Sequence, residues 1–201
     1  MTTHLNRRTL AAALVATGVL ALAGRALAHD GAHHAATADE YKRSVREYSI
    51  PDVSLTNADA RPVRLRELLA AREPVMLNFI FTSCGAICPV MSQVFSQVPD
   101  KLGPASRLRM ISISIDPEND TPAELKSYGK RFNATDRWQF LTGRAEDVTR
   151  VQRAFDNYRG DKMNHEPLTF LRAGPDQPWV RIDGFASPGA LAEEYRKVVA
   201  Q

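Results

Sequence analysis

The chain has 201 residues, of which 44% are hydrophobic and 24% charged, enough for one ordinary domain with additional segments at an end. Its formal charge of +3 is carried entirely by Arg7, Arg8 and Arg25, and beyond residue 28 the charges balance at 23 basic and 23 acidic side chains. With no basic stripe left to neutralise phosphates, nucleic-acid binding has no support.

The N-terminus reads as an export signal over residues 1–28. Arg7 and Arg8 form a charged start that faintly resembles a twin-arginine signal, Leu10 to Ala23 is apolar, and Ala26-Leu27-Ala28 offers small residues for cleavage. The apolar run is short for a membrane span and is interrupted by Gly18. Residues 29–47 are polar and alanine-rich, without a period that demands structure, and read as a flexible tether. His29, His33 and His34 lie in it and could recruit a metal weakly, although a solvated tether needs no such role.

The domain proper is expected over 48–201. A hairpin turns around Asn57 to Ala60, Leu65 to Ala71 forms a short helix, and Pro74 introduces a buried strand from Val75 to Phe81. Val90 to Val98 continues as a helix, and Arg107 to Ile115 gives a second strand. Asp116 to Pro122 is a turn in which Thr121 caps a helix beginning at Pro122. A short strand from Gln139, a helix from Glu146 to Tyr158, a hairpin of Leu168–Arg172 with Trp179–Ile182, and a helix from Pro188 to Val199 complete the order. Strand–helix alternation closed by a hairpin and a helix is the thioredoxin-like α/β pattern: a central mixed sheet flanked by helices, with an N-terminal hairpin extension.

The two cysteines of the chain, Cys84 and Cys88, fall on the strand-to-helix turn of that pattern, in Phe81-Thr-Ser-Cys-Gly-Ala-Ile-Cys-Pro89. A helix N-terminus there lowers a thiol pKa and exposes the sulfur. Beyond residue 34 the only histidine is His165. A disulfide between the cysteines would close so short a loop that it stabilises little. Pro89 stands where a c-type haem attachment needs histidine, and a structural zinc site wants four ligands where these residues supply three. Two thiolates and one imidazole do suit monovalent copper, which soft ligands select and three donors satisfy. Met91 could add a thioether but reads better as core, and Asp116 and Asp120 read as turn and capping residues.

Three features resemble the Sco/SenC copper chaperones of cytochrome c oxidase assembly. They are Cys84-x-x-x-Cys88-Pro89 after an apolar strand, Ser114-Ile-Asp-Pro-Glu-Asn-Asp-Thr-Pro122, and a lone histidine before the penultimate hairpin. The resemblance covers roughly residues 48 to 200. It implies that Cys84, Cys88 and His165 bind copper, Cu(I) with Cu(II) as the second state. It further implies delivery to the copper-bearing subunit of the oxidase or to another periplasmic copper or thiol protein. Two departures stand out. The segment between Tyr158 and His165 is shorter than the loop usual in that family, and Pro167 falls where the family has an apolar residue. Disulfide reductases of the same fold place a cis-proline there, which implies a cis Glu166–Pro167 bond and thiol–disulfide exchange. In that chemistry Cys84 would attack and Cys88 resolve, beside copper binding or in place of it. A peroxidase of the peroxiredoxin type shares the fold and a Thr-x-Cys sequence, here Thr82-Ser-Cys84, but its arginine partner is not identifiable.

Overall fold

A computed structural model describes residues 41–200. The expected export signal and His29, His33 and His34 lie outside the described residues. Among those described, eight strands form one mixed sheet in the order β1-β8-β7-β4-β5-β6-β2-β3.

The centre of the sheet is β4 (Val75–Ile80), β5 (Arg109–Ser114) and β6 (Trp138–Thr142), all parallel. Every residue of β4 is buried, as a strand covered on both faces requires. Successive side chains leave opposite faces. Met76 and Ile80 join Met110, Trp138 and Phe140 under α2 (Ile87–Leu102), α3 (Pro122–Arg131) and α5 (Pro188–Val199). Leu77 and Phe79 join Ile111, Ile113 and Phe155 under α1 (Leu65–Leu69) and α4 (Ala145–Ala154). Where β4 and β5 carry Asn78 and Ser112 inward, the two side chains meet. Ser112 Oγ donates to Asn78 Oδ1 at 2.6 Å and accepts from Trp138 Nε1 at 2.9 Å.

β7 (Leu168–Arg172) runs antiparallel to β4, and β8 (Trp179–Gly184) antiparallel to β7. The expected N-terminal hairpin is β2 (Ser54–Asn57) with β3 (Pro62–Arg64), turned by Ala60 at φ 59° and attached to the edge of β6. The fold is thioredoxin-like, as expected, with α3 and α5 begun by the same device. Thr121 accepts from the Glu124 amide at 3.2 Å and Ser187 from the Ala190 amide at 3.1 Å, each followed by proline at the first helical position.

Three expectations differ from the structure. Residues Tyr41–Arg46, expected as tether, form β1, which pairs along the whole of β8 as a charged edge strand. Buried Glu194 of α5 holds it, accepting from Arg43 Nε at 2.7 Å. α4 ends at Ala154 rather than Tyr158, because Asp156 turns to φ 52°. The Glu166–Pro167 bond, expected cis, is trans, as is every described peptide bond. His165 is already extended (φ −60°, ψ 135°), and the Pro167 carbonyl accepts from Gly184 N at 2.9 Å. A trans bond therefore leads the chain straight into the β7–β8 ladder.

Candidate metal and thiol site

β4 delivers the chain to the sheet end where α2 begins, and the first turn of α2 leaves amide hydrogens without helical partners. Cys84 sits just before that helix, and its sulfur accepts from the Cys88 amide at 3.5 Å. Burial alone would raise the Cys84 pKa, but the amides of Cys88, Ala86 and Ile87 together with the Cys88 thiol outweigh it, and the net shift is downward. Cys88 lies one turn on, fully buried, its sulfur accepting from the Phe81 amide at 3.4 Å. Burial pushes its pKa far up, and the neighbouring Cys84 adds to this. Both cysteines are free thiols. One is thus half-exposed and acidified, the other enclosed and protonated.

His165 follows a single 3₁₀ turn, Lys162–Asn164, and is 7% exposed. Neither ring nitrogen has a hydrogen-bond partner. Burial pushes its pKa down to about 4 against the opposing influence of Glu166, so the imidazole is neutral near pH 7. Its ring meets Phe81 edge-on, with centroids 6.2 Å apart and planes at 72°. Phe81 is also the residue whose amide donates to Cys88, so a single residue links the histidine to the thiol pair. The structure therefore brings Cys84 and Cys88 together and sets His165 one residue away. Among the described residues no three His, Cys, Asp or Glu side chains converge on one point. His165 also lines a cleft of about 510 Å³ beside Asp116, Asn157 and Lys162.

The donor set fits a soft monovalent ion: two sulfurs at a helix N-terminus, and a neutral imidazole with neither ring nitrogen claimed by protein. Met91 is 4% exposed in the core, consistent with packing. Asp116 is occupied by Lys162 Nζ at 2.6 Å and by the Asn119 side-chain amide at 2.9 Å. Lys162 stands over the Phe81 ring at 5.6 Å, a contact that sequence spacing gave no means of finding. Asp120 does more than close a turn. Its carboxylate accepts from the backbone and hydroxyl of Thr82, at the root of the cysteine loop.

Comparison with known proteins supplies relatives of the chain. A "SCO1 protein homolog" of Bacillus subtilis (strain 168) is 37% identical over 98 residues, covering 48% of this chain and 50% of that protein. The chain thus spans about half the length of that relative. The crystal structure of Arabidopsis thaliana ScoI with copper bound superposes with a TM-score of 0.64 at 26% identity, covering 74% of this chain and 96% of that one. BsSco, described with a disulfide switch and as a member of the Sco family of cytochrome c oxidase assembly proteins, gives 0.64 at 25% identity, covering 78% and 96%. The family model for SCO1/SenC matches residues 43–200, and the chain belongs to that family.

Proposed function

We propose that the protein is an exported copper-binding assembly factor. It holds Cu(I) through the sulfurs of Cys84 and Cys88 and a ring nitrogen of His165, and passes the ion to a cytochrome c oxidase copper site. The observation that carries this reading is an imidazole more than nine-tenths buried with no partner on either nitrogen, one residue from two free thiols. Leaving buried polar atoms unpaired costs about 1–3 kcal/mol, a cost that a ligand would offset. The copper-bound Arabidopsis structure and the assembly role stated for BsSco support the cargo and its destination. Export to the periplasm or the outer face of the cytoplasmic membrane rests on residues 1–28 alone.

Competition titration of the reduced protein with a Cu(I)–chelator complex tests the reading. One Cu(I) per chain is expected. Cys84→Ser or Cys88→Ser should abolish tight binding, while His165→Ala should leave a weaker two-thiolate complex. Oxidation of the pair should also eliminate binding, because a disulfide offers no thiolate. Undiminished affinity in Cys84→Ser would refute the site.

The asymmetry of the two thiols favours a second activity beside the first. The Cys84 thiolate can attack a partner disulfide to give a mixed disulfide. Cys88 then loses its proton and attacks the Cys84 sulfur, releasing the partner as a dithiol and leaving Cys84–Cys88 oxidised. Such a step would reduce an acceptor's cysteines before they are loaded.

A further inference from the structure

Asp120 is completely buried, and the hydrogen bonds of its side chain do not belong to the turn in which it sits. The turn is closed without the Asp120 side chain, by Asn119 N and Asp120 N donating to the Asp116 carbonyl at 3.1 and 2.8 Å and by the Asn119 side-chain amide donating to the Asp116 carboxylate at 2.9 Å. The following helix is capped by Thr121. The Asp120 carboxylate instead reaches across to the exit of β4. Oδ1 accepts the Thr82 hydroxyl at 2.6 Å, Oδ2 accepts the Ser114 hydroxyl at 2.5 Å, and the Thr82 amide lies 3.2 and 3.1 Å from the two oxygens. All these donors are neutral. Ser114 in turn accepts from the Asp116 amide at 3.0 Å, so one carboxylate ties the ends of two neighbouring parallel strands.

The cysteine loop needs such a tie. Ser83, Gly85 and Ala86 are exposed, and a Cβ at Gly85 would meet nothing within 4 Å. A backbone bond from Cys84 N to the Phe81 carbonyl at 3.2 Å is local to the loop itself. Thr82, two residues before Cys84, is where the rest of the fold grips the loop.

We propose that Asp120 is a positioning residue for the thiol pair, anchoring Thr82 so that the Cys84 sulfur stays against the Cys88 amide. The copper half of this inference rests on the function proposed above, and the thiol half stands without it. The anchor acts against a charge effect of the same group, since a buried carboxylate disfavours thiolates near it. The geometry assigns the larger part to the anchor, because three donors converge on it while no sulfur among the described contacts touches it.

The test compares Asp120→Ala, Asp120→Asn, Thr82→Val and Thr82→Ser by two readouts. These are Cu(I) affinity and, without metal, the rate of Cys84 alkylation by iodoacetamide in a Cys88→Ser background. Loss of the anchor in Asp120→Ala should weaken Cu(I) by about 10- to 100-fold, as removing a group that orients ligands does. Thr82→Val, which keeps the carboxylate and removes one donor, should weaken binding less and slow alkylation several-fold. Thr82→Ser should restore both, and the Thr82 pair keeps the test valid if Asp120→Ala does not fold. Wild-type affinity and alkylation in Thr82→Val would overturn the proposal, as would tighter Cu(I) binding in Asp120→Asn. A wild-type protein that takes up no Cu(I) would bring down the copper function, while the alkylation series would still decide on the anchor.

Discussion

At the scale of single residues, His165 joins burial to chemistry. A free histidine protonates near 6.5, whereas His165 resists until about pH 4 because its buried ring would carry an unsolvated charge. Between those values the unfolded chain holds a proton that the folded one refuses, so acidification favours unfolding. At about 1.4 kcal/mol per unit, the metal-free protein should lose up to roughly 3 kcal/mol from this group between pH 7 and pH 4. Urea denaturation at a series of pH values should show that slope in the wild type and a shallower one in His165→Leu. Equal slopes would mean the ring is not held neutral by burial. The histidine was visible in the sequence as the lone imidazole of the domain, and its motif made it a candidate ligand. Its pairing with Phe81 was not visible, nor was the grip of Asp120 on Thr82, which joins residues far apart in the chain. A turn sequence rich in Asp and Asn accounts for its own composition locally, which masks a long-range role for one of its side chains.

At the scale of elements, the strands and helices with at least one apolar face declared themselves, and the strand without one did not. The run from Val75 could only be a buried strand, while Tyr41–Arg46 alternates no apolar face and becomes β1 through pairing with β8 and the Arg43–Glu194 contact. The isomer of Pro167 was equally illegible, since the sequence around it permits either and the β7–β8 ladder selects trans. Deleting residues 29–38 should leave the domain folded with Cu(I) affinity within a few-fold, because that stretch lacks apolar residues to dock. Extending the deletion through Arg46 should lower the thermal midpoint clearly, as it strips β8 of its outer neighbour and Glu194 of Arg43. Equal midpoints for the two deletions would show β1 to be dispensable. In α3, Gly129 is a close-approach position where a Cβ would lie 2.9 Å from Phe140 Cε2. Phe140 is itself wedged against Trp138 and Tyr128. Gly129→Ala should therefore destabilise by about 1–3 kcal/mol through overpacking. A gain of about 0.5–1 kcal/mol, the ordinary helical preference for alanine, would contradict this packing.

At the scale of the whole domain, the sheet gathers the chemistry at one end. The carboxyl ends of parallel β4 and β5 carry the cysteine loop and the Asp116–Asp120 turn, and antiparallel β7 begins there with His165 just before it. Loops at the carboxyl ends of parallel strands are where α/β folds place their sites, and this chain follows that rule. Cys84 and Cys88 neighbour each other already, and the proposed three-ligand site requires that the His165 ring, which meets Phe81, join them on the ion. X-ray absorption at the copper edge of the reduced, Cu(I)-loaded protein tests that claim most directly. Two sulfur scatterers and one nitrogen are expected, with the nitrogen lost in His165→Ala. A wild-type spectrum with sulfur alone, or one unchanged by His165→Ala, would contradict it.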